Sequence, residues 1–296
     1  EVILGLPGDT KEKHFATLKT LVESSFTSIS MYQLMILPGT ELGSKENKDK
    51  YKMITKYRVV PRCYGSYKIF NKETNVAEIE EICTSNNTLS FDDYLECRKM
   101  NLIINIFYND SVFEEIIMLL RILNISIWDW LKKIYQNSTL TKFNKFNNLL
   151  TDFLNDSEKE LWSSYSELRE FTEKKENIDK FISGKLGSNL IFKYKSRSLT
   201  IDLENIGFIA EKSTRDILRD KEIEKSEIDE FIKELINFKK CQIDNIFNLD
   251  QKKVSKFKFN IPKFIEENKT TDKKLNINSY KFEENTNFEF ILTKDQ

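Results

Sequence analysis

Glycine and proline are scarce, with 8 Gly and 4 Pro in 296 residues. So little turn punctuation excludes a loop-rich fold and predicts long helices. Gly5, Pro7, Gly8, Pro38, Gly39 and Gly65 do the tight turning before residue 70, and the composition changes character near there. The four cysteines, Cys63, Cys83, Cys97 and Cys241, stand far apart. That spacing excludes a disulfide framework and any close metal-type pair, and it reads as reduced thiols in a cytosolic protein. His14 is the only histidine. With no partner visible in sequence, it is expected to be a solvent-facing helix residue, and serine–histidine chemistry has no support. Neither sign of charge dominates: 46 basic residues meet 47 acidic ones, for a net charge of −1. A dedicated nucleic-acid binder normally carries a basic excess, so RNA is not an expected partner, although local basic stretches exist. No secretory signal is present. The longest apolar stretch, 116–131, is interrupted by Arg121, Asn124 and Asp129 and reads as a buried helix, too short and polar to span a bilayer. A cytoplasmic location is expected, with no membrane among the partners. An initiating methionine is also lacking, and Glu1 already opens a strand-like run, so the sequence is expected to be a piece of a longer protein.

Core-forming material is plentiful, with 40% apolar residues, 22 Phe and 11 Tyr, so wholesale disorder is excluded. Residues 2–4 form a short β-branched run that ends at Gly5-Leu6-Pro7-Gly8-Asp9-Thr10. Asp9 or Thr10 can cap a following helix, with Glu12 three residues after Asp9. Phe15, Leu18, Leu21 and Val22 then mark one buried stripe up to about residue 23. The nearly continuous apolar run 29–37 predicts a second, parallel strand covered on both sides, ending at Pro38-Gly39-Thr40. Residues 43–58 are polar, and 57–70 are mixed aromatic and basic. Residues 75–84 suit a strand or a helix start. Ser90 to Asp93 is a plausible cap for a helix to about residue 107, and helical patterns follow over 111–136, 139–155 and 157–180. Residues 191–194 and 199–203 suggest a short hairpin. Helices are expected at 211–220 and 225–247. Strands are expected from Val254 through Phe257, Phe259 and Ile261 and again over 288–292, with a lysine- and asparagine-rich loop between them.

Two loops stand out. A parallel strand ending in glycines before a helix N-terminus offers backbone N–H groups and close approach to a ligand; the plainer reading is a turn that needs glycine for geometry alone. It is not a Walker loop, since no Gly-Lys-Ser/Thr follows. Pro38-Gly39-Thr40 ends the neighbouring strand, so both loops belong to one rim. Arg58 and Arg62, with Lys56 and interleaved Tyr57, Tyr64 and Tyr67, suit either an anionic substrate or a solvated linker. Trp128 and Trp130 fit core packing, and Glu78, Glu80 and Glu81 fit an exposed charged face.

The decapeptide from Glu1 to Thr10, the helix after it, and Tyr32-Gln33-Leu34-Met35-Ile36-Leu37-Pro38-Gly39-Thr40-Glu41-Leu42 together resemble the fifth and sixth strands of a radical S-adenosylmethionine barrel. The stretch from Lys56 to Gly65, and that from Thr88 to Arg98, resemble segments after the barrel in a cobalamin-binding branch of that family. The resemblance covers 1–70 well, 71–135 weakly and 136–296 hardly at all. It implies an α/β fold with a partial (β/α) TIM-type barrel, last strands only, over 1–70; the residue patterns add a mainly helical region over 71–250 and a short β-rich tail over 251–296. It implies S-adenosylmethionine and a [4Fe–4S] cluster as cofactors of the parent protein, with cobalamin in that branch, and methyl transfer or rearrangement as chemistry. Ile3, Gly5, Leu6, Pro7 and Gly8 would lie beside the adenine, with Leu37 and Pro38 at its edge. Gly8 stands where the family motif often has an acidic residue. The family's CxxxCxxC loop does not occur in these residues, so the chain as it stands is expected to bind none of these cofactors tightly and to be inactive. Two rival readings are a tRNA-modifying methylthiotransferase-like protein and a non-enzymatic helical interaction protein.

Overall fold

A β-branched run, a glycine turn and a capping threonine convert the first residues into a strand and a helix. In the computed structural model, which describes residues 1–223, 226–244, 252–269 and 275–290, β1 (Val2–Leu4) leads through the glycine loop into α1 (Lys11–Glu23). Then come β2 (Met31–Gln33), β3 (Met35–Ile36), α2 (Lys45–Tyr51), the long strands β4 (Ile54–Ile69) and β5 (Lys72–Ser85), and α3 (Phe91–Phe107). Helices dominate from there: α4 (Glu114–Ile122), α5 (Ile127–Asn137), α6 (Asn144–Lys159), α7 (Tyr165–Glu173), α8 (Lys175–Ile182), α9 (Leu190–Thr200), α10 (Leu203–Asp220) and α11 (Ser226–Ile243). The last described elements are β6 (Lys253–Phe259), α12 (Ile261–Asn268) and β7 (Lys281–Phe290). Twelve α-helices and three small sheets among the described residues make this an α/β protein, and none of these sheets closes into a barrel. No helix among the described residues is long and apolar enough to cross a membrane.

The chain divides into two units: residues 1–20, 29–102 and 150–194 form the first, and 21–28, 103–149 and 195–296 the second. In the first, β1 and β2 pair in parallel, with Ile3 opposite Tyr32, so the expected strand–helix–strand unit is present. The expected single strand over 29–37 is instead broken at Leu34. There the backbone changes partners: Leu34 N–H donates to the Leu4 carbonyl, and its own carbonyl accepts from Cys83 N–H, each at 2.9 Å. β3 then pairs antiparallel with β5. Nor is the run covered on both sides, since Leu34 and Ile36 are buried while Tyr32, Met35 and Leu37 are exposed.

Residues 57–70 are not a linker. β4 and β5 form a long antiparallel hairpin, turning at Phe70 and Asn71 and interrupted by a bulge between Val59 and Tyr64. One side of this hairpin is packed: Val59, Leu168 and Phe181 form a core with Tyr57, Tyr64, Ala77, Ile79, Trp162 and Phe171 around it.

The second unit is built on aromatic contacts. Trp130 is fully buried, with the rings of Phe107 and Phe113 edge-on to it at 6.1 and 6.4 Å. Trp128 is buried too, as its helical spacing predicts. The residues read as a hairpin over 191–203 are helical. Asn189 accepts the Phe192 N–H at 3.2 Å and starts α9, and Tyr194 and Ser198, one turn apart, are both buried. Ile261 does not extend a strand, because Asn260 accepts the Lys263 N–H at 3.1 Å and Pro262 sits in the first turn of α12. The lysine- and asparagine-rich stretch thus contains a helix; its residues 270–274 lie outside the described residues. So do 225 and 245–247 of the helix expected over 225–247, and 291–292 of the last expected strand.

Truncating Trp130 removes a large side chain from a sealed aromatic cluster. Trp130→Ala is expected to cost about 3–5 kcal/mol in urea unfolding, against little change for Trp162→Phe, which keeps a ring in place.

Candidate functional site

The glycine loop is held from several sides within the first unit. Gly5 has φ +96° and Gly8 φ +80°, both in the left-handed region that favours glycine. Asp9 accepts the Gly5 N–H at 3.3 Å, and Asp9 N–H donates to the Leu6 carbonyl at 2.9 Å. Thr10 is the side-chain cap of α1, accepting from Lys13 N–H at 3.2 Å. Lys13 Nζ reaches back to the Gly8 carbonyl at 2.8 Å. Two residues that sequence reasoning missed anchor the loop from after β5. Asn86 Nδ2 donates to the Gly5 carbonyl at 3.1 Å, and Thr88 Oγ1 donates to the Asp9 carbonyl at 2.6 Å. The polar run Asn86-Asn87-Thr88 after a strand was the available signal for this tie.

β1 divides its side chains between two faces. Leu4 packs with Leu89, Tyr94 and Cys97, with Phe15, Phe91 and Leu95 around them. Ile3 takes the opposite face with its register partner Tyr32, and the two are 43% and 52% exposed. Leu6 is exposed as well, and Pro7 and Gly8 are half-buried. Leu37 and Pro38 are exposed after β3, which pairs antiparallel with β5, so their turn does not directly end the strand paired in parallel with β1. No atom lies within 4 Å of a Cβ built on Gly8 or Gly39, so both turns face open space.

His14 overturns its sequence expectation. It is 2% exposed, and Nε2 donates to Asn101 Oδ1 at 3.0 Å. Its Nδ1 lies 4.0 Å from Asp9 Oδ2. Burial holds the imidazole pKa below its ordinary value near 6.5, against the opposing pull of Asn101 and Asp9. The neutral ring therefore supports the floor of the glycine loop; its partner lies on α3, too distant in sequence to be foreseen.

Arg58, read as a possible anion ligand, is committed elsewhere. Nε donates to Glu80 at 2.5 Å, Nη1 to Glu160 at 2.8 Å and Nη2 to Gln33 Oε1 at 3.1 Å. Burial opposes the guanidinium charge, but Glu160 and Glu80 overcome it and hold its pKa above the ordinary value. Neighbouring Arg98, also buried, donates to Ser157 at 3.0 Å and lies over the Phe153 ring; burial lowers its pKa. Arg58 thus meets both Glu80 and Glu160 in the interior of the first unit. Glu80 and Glu81 are corrected with it. Instead of forming an exposed face, Glu80 binds Arg58, and Glu81 binds Lys48 at 2.6 Å and Thr55. Glu78 is exposed as expected. Arg62 is exposed at the β4 bulge with φ +67°, away from these partners.

Burial pushes the Cys83 thiol up to about 11 and that of Cys97 higher still. Cys63 is exposed on the hairpin, and Cys241, in the second unit, lies 3.3 Å from Ser255 Oγ. Among the described residues no group of three or more His, Cys, Asp or Glu side chains is arranged to hold a metal ion. No protein-family model matches the chain, and no curated protein matches its sequence.

Removing Arg58 strands two carboxylates in the interior. Arg58→Ala is expected to destabilise by about 3–5 kcal/mol in chemical denaturation, and by less when Glu80 and Glu160 are replaced with Gln alongside it. His14 gives a pH signature. Its folded pKa is lowered, so below the unfolded value near 6.5 the unfolded chain takes up the proton first, and stability is lost as pH falls from there toward the folded value. Comparing urea unfolding at neutral and mildly acidic pH should show wild type losing up to about 1.4 kcal/mol per pH unit relative to His14→Gln. Identical pH dependence in the two proteins would refute this.

Proposed function

We propose that these residues belong to a radical S-adenosylmethionine protein, in which the ends of β1 and β3 form part of the wall beside the cofactor's adenine. One observation carries the reading: a parallel strand–helix–strand unit, β1–α1–β2, whose first strand ends in a glycine turn and holds Ile3 on an uncovered face. A (β/α) barrel strand directs alternate side chains to the helices and to the barrel interior. Val2 and Leu4 are buried while Ile3 is open, which agrees with Ile3 being an interior position. In this reading the uncovered face belongs to a partial (β/α) barrel whose remaining strands lie outside the 296 residues.

The residues fit the nucleoside and not the cluster. Ile3, Leu6 and Leu37 offer apolar surface to a flat purine, and the open Gly8 turn lets a ligand approach the backbone. Asp9 is occupied with the Gly5 N–H, so it orders the loop and does not replace the acidic residue missing at Gly8. When bound, S-adenosylmethionine and the [4Fe–4S] cluster supply a 5′-deoxyadenosyl radical by reductive cleavage; the thiolates for that cluster would come from a CxxxCxxC loop elsewhere in the same polypeptide. The contribution of these residues is to orient the adenine and keep water from one side of it. Cobalamin-dependent methyl transfer or rearrangement is the chemistry suggested by the segments after the barrel, and the buried state of Arg58 removes it from the substrate-binding residues.

Reading the coding DNA upstream of Glu1 tests the proposal. An in-frame CxxxCxxC is expected about one to two hundred residues earlier, a distance set by the size of a (β/α) barrel. The protein from that full reading frame, reconstituted with iron and sulfide, should release 5′-deoxyadenosine from S-adenosylmethionine on reduction. Ile3→Asp in it should raise the KM for S-adenosylmethionine by about tenfold, the equivalent of about 1.4 kcal/mol. A start codon immediately before Glu1, or no such motif upstream, would overturn the reading.

A further inference from the structure

The end of the β4–β5 hairpin breaks local rules that the rest of the chain obeys. Ile69 pairs with Lys72, leaving Phe70 and Asn71 as a two-residue turn, with φ values of +47° and +63°. Two left-handed residues are what such a hairpin needs, and Asn or Gly at the first position gives them without strain. Phe70 accepts that strain and is 100% exposed, so folding gains no burial from its ring.

Phe70 is not alone. Residues directly opposite in an antiparallel pair share a face, so Ile69, Tyr67 and Val76 stand together on one side of the hairpin. All three are exposed, at 47%, 56% and 46%. A Cβ on Gly65, which lies opposite Val76, would come within 3.1 Å of the Tyr67 ring, so that ring lies flat over the strand. The other side is the packed one, where Asn75 Nδ2 donates to the Glu173 carbonyl at 2.8 Å.

Charge surrounds this tip. Lys68 and Lys72 are both exposed, and the register puts them on opposite faces, Lys68 beside Glu73 and Lys72 beside Ile69. Glu73 is neutralised by Lys175. The tip is therefore convex, apolar at its extremity and positive on both sides. A groove on a partner protein would favour charge on one face, whereas charge on both faces suits a broad anionic plane met end-on. An aromatic residue at the point with lysines behind it has the make-up of a segment that enters a membrane interface and meets its headgroups. Such docking requires no spanning helix.

We propose that the hairpin tip docks on an anionic membrane surface, with the Phe70 ring entering the interface and Lys68 and Lys72 meeting the headgroups. The full chain, co-sedimented with vesicles, should bind an equal mixture of phosphatidylcholine and phosphatidylserine and largely ignore phosphatidylcholine alone. Phe70→Asn should weaken binding about tenfold, from the loss of one buried aromatic ring. The double variant Lys68→Gln/Lys72→Gln should weaken it roughly fivefold per charge, and added salt should act likewise. Because Asn suits the turn, Phe70→Asn should keep or raise the Tm, which separates lost binding from lost folding. Absence of binding to the anionic vesicles, or binding unchanged in Phe70→Asn, would overturn the proposal. So would concentration-dependent dimerisation in vesicle-free light scattering that Phe70→Asn removes, since a second copy of the chain would then be the occupant.

Discussion

The guanidinium of Arg58 ties together four parts of the first unit. It sits on β4, reaches β5 through Glu80, the turn after α6 through Glu160 and β2 through Gln33. A buried charge of this kind tolerates little displacement, because each partner it loses becomes an unpaired group in a low dielectric. Sliding β4 by one residue against β5 would send Arg58 to the other face and leave Glu80 alone. The network therefore fixes the hairpin register, and with it the position of β5, whose Cys83 N–H takes the Leu34 carbonyl. Since Leu34 also donates to Leu4, the placement of β1 and its glycine loop follows in turn.

The loop is held by groups that stabilise its backbone and leave its outer side open. Asn86, Thr88 and Lys13 take its carbonyls, and Asp9 takes the Gly5 N–H. Beneath it, the neutral His14 spans from Asp9 toward Asn101 on α3. Pre-ordering of this sort lowers the entropy lost when a ligand is bound. It also explains why a single histidine is kept dry beside a carboxylate.

Elements with local signals were legible in the sequence. β1, α1 and α3 each carry a short apolar run, a cap or a glycine turn within a few residues of one another, and the parallel pairing of β1 with the following strand followed from the same pattern. The β4–β5 hairpin was hidden because its alternation is broken by the bulge over 60–63 and because Tyr, Lys and Arg there resemble a solvated linker. What holds it in register, Arg58 with Glu80 and Glu160, is set by contacts between residues far apart in the chain. Residues 191–194 have strand-like side chains, but the Asn189 cap and the burial of Tyr194 and Ser198 overrule that propensity. In the candidate site, Ile3, Gly5, Leu6, Pro7 and Gly8 lie in and after β1, whereas Leu37 and Pro38 follow β3, because the run expected as one strand changes partners at Leu34. Asn86, Thr88 and Asn101 were missed because hydrogen bonds across some eighty or more residues leave no periodic trace.

The three stretches that make up the first unit have a consequence for synthesis. Its glycine loop is made well before its last stretch, and residues as late as 194 belong to the same unit. Glu160, which completes the Arg58 network, is made about a hundred residues after Arg58 itself. During that interval an arginine and the glutamate on its neighbouring strand wait without their third partner, and the nascent hairpin stays reversible. A ribosome pausing before residue 160 would leave that hairpin exposed to the chaperones of the cell, whereas one pausing just after the unit has emerged would not.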